Sequence, residues 1–241
     1  MPSFWKHVNT VIAESKIVIE VLDARMIEDT RNIEIERKIA QAGKILLFVI
    51  NKSDLADKNK LQQVKKKLNP AVFISSTQKL GTTILKKKIL ELCKGEKVIV
   101  GVVGYPNVGK SSLINALSGR GAARTSSESG YTKGLQKIKV DNKITVLDTP
   151  GVFPYKEKDV IKHGKTGAID YSKIKDPELA ALKLIEGEKE LIKRHYKVEG
   201  DNPEDILANI AKKINRLTKG GEPNLDSAAR WVLKGWQTGK I

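Results

Sequence analysis

Cysteine occurs once in the 241 residues, at Cys93. A single thiol leaves no intrachain disulfide, no expected disulfide-linked partner and no cysteine-cluster metal site; Cys93 itself reads as a packing residue on the helix that begins near Ile84. The three histidines, His7, His163 and His195, lie too far apart in sequence to suggest a zinc site. No run of about 18 apolar residues is present, and the first residues lack the positive-then-apolar layout of a signal peptide, so a cytoplasmic protein without a membrane span is expected. Acidic residues are also in short supply. Lys and Arg number 44 against 28 Asp and Glu, a formal net charge of +16 with a pI near 9.7, which favours a polyanionic partner such as RNA. The surplus is uneven, with 26 basic against 14 acidic residues in 1–154 and 18 against 14 in 155–241. The clusters Lys65-Lys66-Lys67 and Lys86-Lys87-Lys88 are either phosphate-tracking surfaces or simply solvated helix faces.

What is present is a pair of nucleotide-contact patterns in an unusual order. Gly104-x-x-x-x-Gly109-Lys110-Ser111 follows the apolar run Lys97 to Val103 and precedes Leu113 to Leu117. Strand, glycine turn and helix is the context a phosphate loop requires. Successive N–H groups of Asn107, Val108, Gly109, Lys110, Ser111 and Ser112 are expected to cradle phosphates at the positive end of that helix. Lys110 is expected to reach the β- and γ-phosphates as a catalytic cation, and the Ser111 hydroxyl to hold Mg2+.

The second pattern, Asn51-Lys52-Ser53-Asp54, ends the apolar run Ile45 to Ile50, so its side chains emerge at a strand's carboxyl end, where open α/β sheets bind ligands. The Asp54 carboxylate matches the N1–H and exocyclic amine of guanine, a donor pair adenine lacks, and this predicts GTP or GDP rather than ATP. Asn51 is expected to tie this loop to the phosphate loop, and the Lys52 stem to cover one face of the base. Ser75-Ser76-Thr77, after the strand-like Ala71 to Ile74, is placed for a backbone N–H to meet guanine O6. Downstream, Asp148-Thr149-Pro150-Gly151 follows Ile144 to Leu147; Asp148 is expected to hold Mg2+ through water and the Gly151 N–H to touch the γ-phosphate. The polar stretch from Ser126 to Gly134 reads as a switch loop in which Thr132, or alternatively Thr125, closes over Mg2+. In an ordinary GTPase the phosphate loop precedes the base-reading motif; here it follows, which identifies a circular permutation.

At these residues the chain resembles the circularly permuted ribosome-assembly GTPases of the YlqF/RbgA and YawG type. The resemblance also rests on Asp23-Ala24-Arg25, on Gly130-Tyr131-Thr132-Lys133, and on the tail from Lys219-Gly220-Gly221-Glu222-Pro223-Asn224 to Arg230, closing with Gly239-Lys240. It implies a slow GTPase that acts as a checkpoint on the large ribosomal subunit and its rRNA, working as a monomer. It implies a catalytic role for a histidine near the amino terminus, for which His7 is the nearest match; a structural role for His7 stays open. It further implies that Asn107 helps bind K+, against the plainer reading in which Asn107 stabilises the turn. Val152-Phe153 stands where many GTPases place a water-orienting glutamine, so slow intrinsic hydrolysis is expected. A switch serving a protein effector or an RNA-modification complex, or an RNA-binding module with negligible turnover, remain open alternatives.

The periodicities predict α/β architecture in residues 1–154, a P-loop GTPase domain with a doubly wound, mostly parallel six-stranded sheet and one antiparallel edge. Residues 155–241 are expected to form a small all-α domain. Asp176-Pro177-Glu178 and Asn202-Pro203-Glu204 mark two helix starts, and Ile206, Ile210 and Ile214 share a face of the second. On the last helix Trp231 reads as core, while Trp236 either packs or stacks on a base. Because the chain leaves the nucleotide domain directly after Gly151, movement there is expected to be coupled to the tail.

Overall fold

The computed structural model describes residues 3–119, 135–149 and 160–241. The chain divides into two compact units, Met1–Glu157 and Lys158–Ile241.

The first unit opens with α1 (Ser3–Glu14) and continues through β1 (Ile17–Asp23), α2 (Ile27–Thr30), α3 (Ile33–Gln41), β2 (Ile45–Asn51), α4 (Lys58–Lys67), β3 (Ala71–Phe73), α5 (Thr82–Leu92) and β4 (Val98–Gly104). It closes with α6 (Lys110–Ser118), β5 (Gln136–Lys139) and β6 (Ile144–Asp148). The six strands form one sheet in the order β3-β2-β1-β4-β6-β5, parallel throughout except for the β5–β6 hairpin. Every residue of β1 is buried, as a strand covered by helices on both faces must be, whereas β5 alternates and forms the edge. β3 stops at Phe73, one residue short of the strand-like run Ala71 to Ile74, and Ser75 beyond it pairs antiparallel with Leu80.

α1 is amphipathic, burying Trp5, Val8, Val11 and Ile12 in a cluster with Val18, Ile35, Ile39, Val103 and Leu147. At about 1.5–3 kcal/mol per large apolar side chain, this seam is enough to hold the helix on the sheet. Gly101 of β4 permits the close approach: a Cβ there would run into the Val11 side chain and the Ser15 hydroxyl. α1 thus lies antiparallel to β4, its first turns toward the strands' carboxyl ends.

The second unit contains α7 (Val160–Lys165), α8 (Pro177–Gly187), α9 (Lys189–Tyr196), α10 (Pro203–Lys213) and α11 (Leu225–Gln237). Asp176 and Asn202 cap α8 and α10, accepting from Leu179 N at 3.0 Å and Asp205 N at 2.8 Å, each with proline in the first turn. The core joins Ala180, Ala181, Leu184 and Ile185 to Ile206, Leu207, Ile210 and Ala211 and to Ala228, Ala229, Val232, Leu233 and Trp236, the alanines letting helices approach closely. The expectation for Trp231 is corrected here: it is 44% exposed while Trp236 is 1% exposed. Trp236 continues the buried series Ala228, Val232 and Leu233 at helical spacing, and Trp231 falls outside it. No helix among the described residues is long and apolar enough to cross a membrane.

Candidate guanine nucleotide site

The strand registers bring four motif residues to one edge. Asp23 pairs with Asn51, Val21 with Gly104, and Val102 with Asp148, so the carboxyl ends of β2, β1, β4 and β6 form one rim. Crossovers leave in opposite directions from β1 and β4, which makes the rim a ligand crevice of the doubly wound kind.

Asn51, 2% exposed, braces three loops. Its Nδ2 donates to Val108 O at 2.9 Å, and its Oδ1 accepts from Ser76 N at 3.2 Å and Ser76 Oγ at 2.8 Å. The tie between the base-side loop and the phosphate loop is therefore a direct buried hydrogen bond. Gly109 is required by the same contact. Its φ of +95° is left-handed, and a Cβ there would collide with Asn51 Nδ2. Asn107 also has positive φ, 61°, a conformation asparagine tolerates, and α6 begins at Lys110 immediately after Gly109.

Lys110 and Asp148 are the charged pair at the phosphate end. Lys110 is 7% exposed and donates through Nζ to Gly104 O at 3.1 Å and Tyr105 O at 2.8 Å. Burial lowers its pKa to about 8, against the opposing pull of Asp148. Asp148 is 1% exposed, and neither carboxylate oxygen has a hydrogen-bond partner among the described residues. Burial raises its pKa to about 6, with Lys110 acting the other way. An unpartnered buried carboxylate near the first turn of α6, where Ser111 supplies a hydroxyl, fits a hard cation that takes oxygen ligands and shares them with phosphate. Among the described residues no group of three or more His, Cys, Asp or Glu could hold a metal on its own.

At the base end, Asp23 is the residue whose role the sequence did not reveal. It is 1% exposed. Arg25 grips it through Nε at 3.1 Å and Nη2 at 2.9 Å, Lys52 Nζ donates to it at 2.8 Å, and its own N–H donates to Thr30 Oγ1 at 3.1 Å. Burial pushes the Asp23 carboxyl up, but the Lys52 ammonium and the Arg25 guanidinium overcome it and hold it well below the usual carboxylate range. Burial depresses the Lys52 ammonium, with Asp23 opposing. Lys52, whose backbone is left-handed at φ 57°, is thus clamped at its tip. The only sequence signal for this arrangement is a charged Asp-x-Arg directly after a buried strand.

Across the loop, the N–H of Ser75 donates to Leu80 O at 3.2 Å and that of Ser76 to Asn51. Among the described residues the Thr77 N–H is the one of these three without such a bond. Asp54 is exposed, with Gln78 Nε2 at 3.4 Å.

Comparison with known proteins identifies the family of the chain. The RsgA GTPase family model matches residues 9–156. The chain belongs to the circularly permuted GTPases. A second family model, described as 50S ribosome-binding GTPase, matches residues 99–216. A GTP-binding protein of Methanocaldococcus jannaschii is 40% identical over 98% of this chain and 65% of its own length. GTPase grn1 of Schizosaccharomyces pombe is 34% identical over 99% of this chain and 61% of its own, and the nuclear GTP-binding protein NUG1 of Saccharomyces cerevisiae 34% identical over 99% and 55%. The chain thus spans less than two thirds of these relatives. The GNP-bound structure of YlqF from T. maritima superposes with a TM-score of 0.66 at 24% identity, covering 99% of this chain and 94% of that one. That likeness shows the fold.

In this permuted GTPase the residues read from sequence fall into two groups. Asn51, Lys52, Asp54, Ser75, Ser76 and Thr77 gather at the base end of the rim, and Asn107 to Ser112 with Asp148 at the phosphate end. His7 is half-buried on the second turn of α1, the end facing the strands' carboxyl edge, and its Nδ1 is buried with no partner among the described residues. Thr132, Thr125, Gly151 and the Val152-Phe153 pair lie outside the described residues. Cys93 is fully buried, its thiol near Glu96 O at 3.2 Å. Of the lysine clusters, Lys66, Lys67 and Lys87 are exposed, while Lys88 pairs with Glu91 at 2.8 Å.

Proposed function

We propose that this permuted GTPase binds GTP at the rim, hydrolyses it slowly, and acts as a nucleotide-controlled checkpoint in assembly of the large ribosomal subunit through contact with rRNA. The observation that carries the nucleotide part is Asn51. It joins the loop that reads guanine to the loop that cradles phosphates, so base recognition and phosphate position are fixed together. Asp54 accepts from the N1–H and exocyclic amine of guanine, the Thr77 N–H donates to O6, and the Lys52 stem, clamped by Asp23, covers the ring. Lys110 exchanges its loop carbonyls for phosphate oxygens, where its charge is stabilised by an anion in a low-dielectric site. Ser111 and Asp148 would hold Mg2+, which would neutralise phosphate charge. Thr132 would close over Mg2+, and the Gly151 N–H would touch the γ-phosphate.

Slow turnover is supported by Val152-Phe153, which leaves no glutamine to orient water. His7, at the rim end of α1, would take that role when a partner orders the site, and Asn107 would help hold K+, whose charge would offset charge developing on the phosphates. The ribosomal part rests on the family described as 50S ribosome-binding GTPase, on the tail motif and on the net charge of +16. The cytoplasm is the expected compartment; relatives named nuclear or nucleolar point instead to wherever large subunits are assembled.

The test is steady-state GTP turnover with and without purified large ribosomal subunits, in K+ and in Na+ at equal ionic strength. Stimulation by subunits is expected, larger in K+. If subunits neither bind nor accelerate turnover in either cation, the ribosomal reading fails and a permuted guanine-nucleotide switch for another partner remains.

A further inference from the structure

α11 carries one tryptophan inward and one outward. Its buried face is complete with Ala228, Ala229, Val232, Leu233 and Trp236, so the 44% exposed indole of Trp231 contributes little to the core. It is not bare. The Arg216 guanidinium lies 5.4 Å from the Trp231 ring centroid. One turn further along the helix, the exposed Lys234 lies 5.5 Å from the Tyr171 ring. Two aromatic–cation pairs therefore flank the same stretch of α11.

Arg216 is held in place by the backbone. Leu217 bridges Pro223, Thr218 N donates to Glu222 O at 2.8 Å, and Asn224 N donates to Arg216 O at 2.9 Å. Asn224 then caps α11 through Ser227 N at 2.9 Å. The family-specific Lys219-Gly220-Gly221-Glu222-Pro223 tail is thus a fixed hairpin that sets Arg216 against Trp231, and it displays Leu217 at 40% exposure. Residues 212–219 contribute Lys212, Lys213, Arg216 and Lys219, all exposed, and no acid. The acids nearby are Glu222, on the hairpin, and Asp226, which is paired with Arg230 at 3.0 Å.

We infer that this face, Trp231 with Arg216 over it and the exposed Lys212 and Lys219 of the same basic segment, is a docking platform for single-stranded RNA; the Lys213 ammonium is instead tied to Lys197 O at 2.8 Å. An unpaired base stacks on the indole, and the cations take the flanking phosphates. The inference deepens the rRNA part of the proposed function and rests on it. An indole 44% exposed with a guanidinium over its ring accepts any base on its open surface, and a basic segment with no acid between residues 212 and 219 matches a polyanion. The exposed apolar area, one indole and one leucine, is too small for the core of a protein–protein interface. Base faces inside a duplex are already stacked, so the fit is to unpaired nucleotides.

The experiment uses the full chain, a fluorescein-labelled 12-nucleotide oligoadenylate RNA and a labelled 12-base-pair RNA duplex, with tryptophan emission as a second readout. Oligoadenylate is expected to quench the emission. Trp231→Ala is expected to weaken its binding about tenfold to a hundredfold, Trp231→Phe to retain most of the affinity, and Arg216→Gln to weaken binding and flatten its salt dependence. Circular dichroism of each variant reports folding, and the exposed-site variant Arg216→Gln keeps the test decisive even if the alanine variant is damaged. Oligoadenylate binding by Trp231→Ala within twofold of wild type, or a duplex equally sensitive to the substitution, overturns the platform. So does an unchanged RNA affinity accompanied by lost binding to the protein fraction of large subunits, which would make the face a protein dock. Cosedimentation of the wild type with large subunits separates the two levels: if it binds them and Trp231 is irrelevant, only the platform fails; if it does not, the underlying reading fails.

Discussion

The two ends of the nucleotide rim are built on opposite principles. At the base end the charges are already paired: Asp23 is held by Arg25 and Lys52, and Asn51 satisfies Ser76 and Val108. At the phosphate end Lys110 is turned back on loop carbonyls, and Asp148 is buried with neither oxygen partnered among the described residues. A preformed base end reads identity with little rearrangement. On the proposed reading, an unsatisfied phosphate end would gain most from an anion and a cation arriving together.

The largest expected effect is on base choice. Asp54→Asn replaces an acceptor pair with a mixed amide, so the preference for GTP over ATP is expected to fall by about 10^4, measured as the ratio of dissociation constants. A preference that survives would move guanine recognition away from the base end. Next in size is Lys110→Ala. Removing the buried cation is expected to lower GTP turnover by at least about a hundredfold, while leaving the ratio of guanine to adenine affinity unchanged. If that ratio moves as well, the two ends of the rim do not act separately.

Asn51 is where the ends meet, and its deletion sharpens the comparison. Asn51→Ala strands the Ser76 N–H and the Val108 carbonyl, at about 1–3 kcal/mol for each unsatisfied group, so denaturant unfolding of the first unit should show a loss of roughly 3 kcal/mol. Gly109→Ala pushes on the same amide and forces φ near +95°. The double variant should therefore cost distinctly less than the two single losses added together. Strict additivity would mean that Gly109 is needed for its backbone alone.

Much of this was legible from spacing. The alternation of apolar runs and helical periods gives the sheet, and the glycine pattern after a strand gives the phosphate loop. Proline behind Asp176 and Asn202 gives two helix starts. What stayed hidden depends on register. Nothing local says that Asp23 lies beside Asn51, because that follows from how β1 pairs with β2. α9 was hidden in a Lys/Glu-rich stretch in which only Ile192 and Tyr196 are buried. The outward position of Trp231 was readable: Ala228, Ala229, Val232, Leu233 and Trp236 follow i, i+1, i+4, i+5, i+8, and that phase excludes Trp231.

The last expected effect, smallest when counted per pH unit, concerns Glu20, a carboxyl in the middle of a buried strand and fully enclosed. On β1 it shares a face with Val18 and Leu22, between two apolar clusters. Its Oε1 accepts from Asn32 N at 2.7 Å, and its Oε2 has no partner among the described residues. Burial raises its pKa to about 8; the Asn32 N–H and Arg31 oppose the rise and Glu36 adds to it. The folded state therefore keeps a proton that the unfolded chain releases near the ordinary glutamate value. Stability from this group is complete below that value and is lost as pH climbs toward 8, at up to roughly 1.4 kcal/mol per pH unit. Glu20→Gln keeps the acceptor for Asn32 and removes the titration. Relative to wild type, the variant should gain stability steadily between pH 5 and pH 8 in denaturant unfolding, with the smallest difference at pH 5. Parallel profiles would show that Glu20 ionises in the folded protein at its ordinary pH, and that the strand beside the base end tolerates a buried charge as Asp23 does.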